Sequence, residues 1–164
     1  MYFRYFMWNF SGKQNDVQGH GELNNGNWLS GINLIDQRLG PQKTLPEHLQ
    51  NNPGKNTYYF LPLLLGLIGI IFHYQKSPGD AWVILLLFFF TGLAIAIELN
   101  QTPFQPRERD YAYAGSFYAF SIWIGIGVLG LYNWLKKYIA NTQIVNACTA
   151  LTLLIPLLMM SEGW

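Results

Sequence analysis

Four long apolar runs, crowded into the last two thirds of a 164-residue chain, decide what this sequence can become. They cover 57–74 (TYYFLPLLLGLIGIIFHY), 81–99 (AWVILLLFFFTGLAIAIEL), 111–135 and 144–160. At 1.5 Å per helical residue, each approaches the ~30 Å of a bilayer's hydrocarbon core. The first run has no acidic, Lys or Arg side chain, and the second has none before Glu98. A soluble fold can bury one such helix, but too little polar chain is left here to cover four. The expected fold class is therefore an all-α membrane protein: about four transmembrane helices preceded by an N-terminal interfacial and loop segment over 1–56.

Composition narrows the function classes. Charged residues make up 12% of the chain, about half the share in an ordinary soluble domain. The net charge of +1 supplies no field to gather a polyanion, so no nucleic acid is expected as a partner. Cys148 stands alone and has no internal disulfide partner.

The flanks of the runs fit a membrane. Tyr58, Tyr59 and Phe60 open the first, His73 and Tyr74 close it, Trp82 opens the second, and Trp134 and Tyr138 close the third. Such rings settle at the interface between lipid and water. Pro62 falls in a first helical turn, where its missing N–H is harmless, and Pro156 predicts a kink inside the fourth run. Gly66, Gly69, Gly125, Gly127 and Gly130 read as sites of close helix packing.

The short connections 75–80 and 136–143 carry Lys76, Lys136 and Lys137 against one acid, Asp80. Counted over short loops, this places them in the cytoplasm and leaves 1–56 and 100–110 extracytoplasmic, although Lys43 and Lys55 weigh the other way. Residues 1–10 (MYFRYFMWNF) are too few to span and too apolar for a solvated arm, so an interfacial or protein-covered helix is expected. Turn signals at 19–21, 24–26 and 51–54 predict a structured loop with one short helix near 28–39. The polar start before the first span, with no signal peptide, and the end just after a span suggest a piece of a longer polytopic protein.

The densest chemistry lies at 100–113, NQTPFQPRERDYAY. Pro106 is placed to start the third helix, and Arg107, Glu108, Arg109 and Asp110 set four charges at a membrane surface. In a helix Arg107 and Asp110 pair at i,i+3, leaving Arg109 to reach elsewhere. Guanidinium groups suit bidentate phosphate binding, so a lipid-linked phosphate is a sensible ligand; the alternative is an ion-paired helix start that marks the water boundary. The aromatics that follow, from Tyr111 to Trp123, either floor a sugar or prenyl site or simply pack. Glu98 is the one acid within a span, an intramembrane carboxylate close enough to the interface to snorkel. Asp16, His20 and Glu22 lie close together but match no strong metal spacing, and no metal is assigned. Asn9-Phe-Ser11 and Asn100-Gln-Thr102 match a glycosylation sequon that arises often by chance.

Several runs are distinctive: RYFMWNF at 4–10, GKQND at 12–16, NTYYFLPLLLGL at 56–67, and above all NQTPFQPRERDYAYAGSFYAF at 100–120. Over nearly the whole chain these resemble a family of large bacterial membrane proteins related to the protein O-mannosyltransferases of the GT-C superfamily. The resemblance implies a multi-pass glycosyltransferase of the bacterial inner membrane. It would take sugar from a polyprenyl-phosphate donor to a Ser or Thr hydroxyl of an acceptor protein on the extracytoplasmic side. The partners implied are membrane lipid, the lipid-linked sugar donor and the acceptor protein; no cofactor beyond the donor follows.

The family's general base is an acid in a first extracytoplasmic loop. No match to that loop is present, so the base is expected upstream and the chain is expected to be inactive alone. Carried over to this sequence, Arg107 and Arg109 hold the donor phosphate with Glu108, Asp110, Tyr111 and Asn100 around them. Asn15, Asp16, Gln18, His20 and Glu98 are candidates to line the same cavity. Two other classes stay open: a transporter or flippase component using Glu98 and the arginines, and a non-catalytic membrane scaffold. No internal repeat favours the transporter.

Overall fold

The computed structural model describes residues 1–19, 22–100 and 109–162. Three stretches, Pro78–Leu99, Asp110–Tyr138 and Thr142–Glu162, are helical, apolar and long enough to cross a membrane. The first apolar run instead yields α4, Leu61–Lys76, with 16 residues; at 1.5 Å each, about 24 Å, it is shorter than the hydrocarbon core.

The expected first span starts four residues late for a backbone reason. Tyr59 and Phe60 both adopt positive φ, 52° and 58°, a left-handed region that branched and aromatic side chains rarely enter. The helix cannot extend back through them, and Pro62 then occupies its first turn, as expected. At the far end, Ser77 alone separates α4 from α5, Pro78–Phe89. The expected six-residue connection is mostly helix.

Past α5, the helix passes through one π-helical turn, Phe90–Ala94, before α6, Ile95–Leu99. Within that turn the Thr91 hydroxyl donates to the Leu87 carbonyl at 2.7 Å, a back-bond that loosens the regular ladder. The third long helix opens with a 3₁₀ turn, Asp110–Tyr113, and continues as α7, Ala114–Tyr138. After 139–141 come α8, Thr142–Leu151, and α9, Leu154–Glu162. The break at 152–153 is the kink expected from Pro156, whose ring cannot accept the approach of the Thr152 carbonyl four residues back. Ile155 N–H takes that carbonyl instead, at 3.1 Å.

α4 and α7 run parallel and form the most extensive helix contact among the described residues. Glycines make the contact possible. Gly66 sits under the Phe120 ring, Gly69 against the Trp123 backbone, Gly127 against Leu65, and Gly130 against Phe72 and Ile68. Gly125 faces open space, so the packing role expected of all five holds for four.

The N-terminal segment forms a cap on one end of these helices. α1, Tyr2–Phe10, is covered by protein, as one of the two expected placements had it: Tyr5, Met7, Trp8 and Phe10 are buried. Its rings interlock with α5 and α7, with Phe6 edge-on to Phe88 and to Phe120 at 5.9 and 4.9 Å between centroids. Tyr2 meets Ser116 through their hydroxyls. Beyond α1, β1 (Gly12–Lys13) pairs antiparallel with β2 (Asn56–Thr57), and Lys13 also bridges to Trp28. Gly12 is required there: at φ 138°, a Cβ would meet the Asn56 and Leu29 carbonyls at 2.5 and 2.7 Å.

The helix expected near 28–39 shrinks to α2, Asn33–Asp36, and a 3₁₀ turn, Gln37–Leu39. Trp28 is tied up in the bridge, and Gly31 at φ 81° turns the chain before the helix. A further 3₁₀ turn at Gln42–Thr44 and α3, Glu47–Gln50, complete the cap.

Candidate functional site

The cap, the start of α7 and the end of α9 lie at one end of the helices. Two contacts fix this. Tyr5 and Tyr113 pack ring to ring at 5.9 Å, and the Thr57 N–H donates to the Glu162 carboxylate at 2.5 Å.

The Glu162 contact sets the state of a neighbour. Burial first, and the Glu162 charge second, push the Tyr58 phenol above its ordinary pKa of 10.0. The folded state thus favours the neutral phenol. That contribution is complete below the ordinary tyrosine range and is lost as pH rises through the elevated folded value. In an ultraviolet titration compared against Tyr58→Phe, Tyr58 should ionise late, and Glu162→Gln should bring it part of the way back. A Tyr58 titration that Glu162→Gln leaves unmoved contradicts the contact.

The residues expected to hold a donor phosphate divide between described and undescribed positions. Arg107 and Glu108, and with them the Arg107–Asp110 pair, lie outside the described residues, as does His20. Arg109 immediately precedes the 3₁₀ turn, with φ −127° and ψ 44°, and is exposed; Asp110 begins that turn and is exposed too. Tyr111 is 65% exposed. Asn100 ends α6 in the left-handed conformation at φ 37°, and Glu98, two residues back, is exposed. These groups therefore share the cap end, and Arg109 and Asp110 are open to solvent there. The aromatics after them separate: Tyr113, Phe120 and Trp123 are buried in the core, while Tyr118 is exposed.

The second group sits in the cap loop. Asn15 is completely buried. Its amide donates to the Asn24 carbonyl at 2.7 Å, and its Oδ1 accepts from the N–H groups of Gly26 and Val17 at 2.9 and 3.2 Å. Neighbouring Gln14, also buried, donates to the Leu23 carbonyl and Gln42 Oε1 at 3.1 and 2.9 Å. Both side chains are spent on folding the loop, because buried amides must find partners. Asp16 is exposed and accepts from Asn52 Nδ2 at 2.7 Å. Gln18 is half-buried and has an interaction partner. Among the described residues, no group of three or more His, Cys, Asp or Glu side chains gathers to hold a metal.

The sequence did not point to a cleft of about 560 Å³ in the cap, between α2, α3 and β2. Asn33, Asn51, Lys55 and Tyr59 line it, scattered over 27 positions of the chain with only turn-rich composition to connect them. Asp36 also lines it, and both Asp36 oxygens are occupied: Oδ1 by the Ser30 N–H and hydroxyl, each at 2.9 Å, and Oδ2 by the Gly31 N–H at 2.8 Å. Tyr59 has positive φ, and its ring lies over Gly31. Strained backbone of this kind costs of order 1–3 kcal/mol and concentrates at functional sites. Half-exposed Tyr59, the amide residues Asn33, Gln42, Gln50 and Asn51, and Lys55 therefore line one hollow.

No family model, curated protein or solved structure matches the chain.

A second, apolar cleft of about 780 Å³ opens between α4, α7 and the α8–α9 helix. It reaches from Leu61 and Ser161 at the cap end down to Ile68, Leu131 and Cys148.

Proposed function

We propose that this chain is the membrane-embedded part of a glycosyltransferase related to the protein O-mannosyltransferases, working on a polyprenyl-phosphate sugar in a bacterial inner membrane. In this reading α4 is a fourth crossing, carried through the bilayer by its glycine-mediated packing along α7, and the cap faces the extracytoplasmic side. The observation that carries the reading is the exposed Arg109–Asp110 step at the cap end, above helices that offer an apolar cleft descending from that same end.

The division of labour follows from the chemistry. A prenyl tail needs an apolar wall within the bilayer, and the Leu- and Ile-lined cleft supplies one. A phosphate head needs a cation at the water boundary, and Arg109 supplies a planar donor fork for it. As the acceptor hydroxyl attacks the anomeric carbon and the glycosidic bond breaks, charge builds on the departing phosphate. A guanidinium placed beforehand stabilises that charge more than it stabilises the ground state. The hydroxyl proton leaves to a base that no residue of this chain is assigned to provide. Asn33, Asn51, Lys55 and Tyr59 suit a hydroxyl-rich group: amides to exchange hydrogen bonds and a ring face for the C–H side of a sugar.

Binding of a polyprenyl-phosphate sugar to the reconstituted protein tests this. A charge-assisted hydrogen bond contributes about 1.5–3 kcal/mol, so Arg109→Ala should weaken donor binding by roughly 10- to 100-fold. Normal membrane insertion with unchanged donor binding rejects the phosphate role, and no donor binding by the unaltered protein rejects the enzyme class.

A further inference from the structure

The opposite end of the helices carries a different feature. A groove of about 500 Å³ runs between the second halves of α4 and α7. Ile68 and Phe72 form one wall and Leu131 the other, and the glycine at 130 brings the two helices together at its base: a Cβ there would sit 3.0 Å from Phe72 Cβ. The groove is apolar until its mouth, where Gln75 and Asn133 line it beside Trp134.

One helical turn beyond Phe72 and Asn133 come Lys76 and Lys137, each on the same face as the residue four positions before it. Trp134 is more than half exposed and marks the depth at which headgroups begin. Lys136 and Lys137 share this end with Lys76, and its one acid among the described residues, Asp80, belongs to the first turn of α5. α5 lines the neighbouring cleft with Ala81 and Trp82 and contributes nothing to this one. The groove thus has hydrocarbon walls and the Gln75 and Asn133 amides at its mouth, the latter donating to the Leu129 carbonyl at 2.8 Å; Lys76 and Lys137 stand one turn beyond it, with the Lys137 ammonium 5.9 Å from the centre of the Tyr138 ring.

We infer that this groove is a binding site for one anionic phospholipid, one of its two acyl chains between Ile68, Phe72 and Leu131 and its phosphate between Lys76 and Lys137. Charge complementarity selects the occupant. A zwitterionic lipid fills the walls equally well but gains little from the lysines, whereas each lysine attracts an anionic headgroup by roughly fivefold in occupancy. The inference needs the helices to lie in a bilayer and does not depend on the glycosyltransferase reading.

The test uses Trp134 as a reporter in vesicles containing both phosphatidylglycerol and phosphatidylcholine, only one of which carries brominated acyl chains. The Trp134 signal is isolated by difference from Trp134→Phe. At equal mole fraction, brominated phosphatidylglycerol should quench Trp134 several-fold more than brominated phosphatidylcholine. The surface changes Lys76→Gln and Lys137→Gln together should abolish that preference while leaving the fold intact. Millimolar inorganic phosphate should not relieve the quenching. Equal quenching by the two lipids overturns the inference, as does a preference that survives loss of both lysines. Relief by inorganic phosphate would show a simple anion site and overturn the lipid assignment.

Discussion

Replacing Gly69 with alanine should destabilise the helix bundle by about 3 kcal/mol, the upper end of the cost of overpacking a tight core. The added methyl would strike the Trp123 carbonyl oxygen and stand 2.9 Å from the Gly127 nitrogen. Both are backbone atoms, so neither can swing aside as a side-chain tip would. Relief requires α4 and α7 to separate, and with them the contact that holds the bundle. Gly125→Ala on α7 provides the internal control, because nothing lies within 4 Å of its Cβ position. There alanine should be neutral or stabilising by up to ~1 kcal/mol, since it removes glycine's backbone entropy from a helix interior. Reversible unfolding in mixed micelles measures both changes. Equal effects at the two glycines would show that the α4–α7 contact is not what this account describes.

The cap should respond most strongly to Asp36. Its carboxylate accepts from the Ser30 N–H, the Ser30 hydroxyl and the Gly31 N–H at 2.8 to 2.9 Å and is itself buried. Asp36→Ala leaves those donors, two of them on fully buried Ser30, without their acceptor, a loss of about 3 kcal/mol on the usual scale of charge-assisted hydrogen bonds. Because the cap meets the helices chiefly through α1, the damage should stay local. Amide exchange across 27–36 should accelerate by roughly a hundredfold, the equivalent of 3 kcal/mol, while exchange in α7 stays as it was. Asp36→Asn keeps one acceptor oxygen and should fall between. Unchanged exchange in Asp36→Ala would show that the turn around Gly31 is held by something else, and the shape of the Tyr59 cleft with it.

The long helices could be read from the chain because length and apolarity are local properties and only a bilayer accommodates several such helices at once. The start of α4 could not. Nothing in Tyr-Tyr-Phe announces that Tyr59 and Phe60 take a left-handed backbone, a conformation imposed by packing over Gly31 and by the sheet that ends at Thr57. The sheet itself is two residues per strand, too short for any alternation to register. Among the α7 glycines, the spacing of 125, 127 and 130 looks uniform, yet only tertiary placement turns Gly127 inward and Gly125 outward.

The site followed the same division. Arg109 and Asp110 could be expected at a water boundary because a run of charges cannot enter hydrocarbon. Asn15 is polar, but polarity does not distinguish an amide that meets a ligand from one sealed into a loop. Asn33, Asn51, Lys55 and Tyr59 become neighbours only once the cap has folded, so no motif joins them in the sequence.

The cap and the start of α7 should lie on one side of a membrane and the α4–α5 and α7–α8 turns on the other. Single cysteines in a Cys148→Ser background, labelled from one side of sealed membranes with an impermeant maleimide, test it directly. Lys55→Cys and Asp110→Cys should label together, and Ser77→Cys and Asn141→Cys should label only from the opposite side. Labelling of Asp110→Cys and Ser77→Cys from the same side would contradict the account.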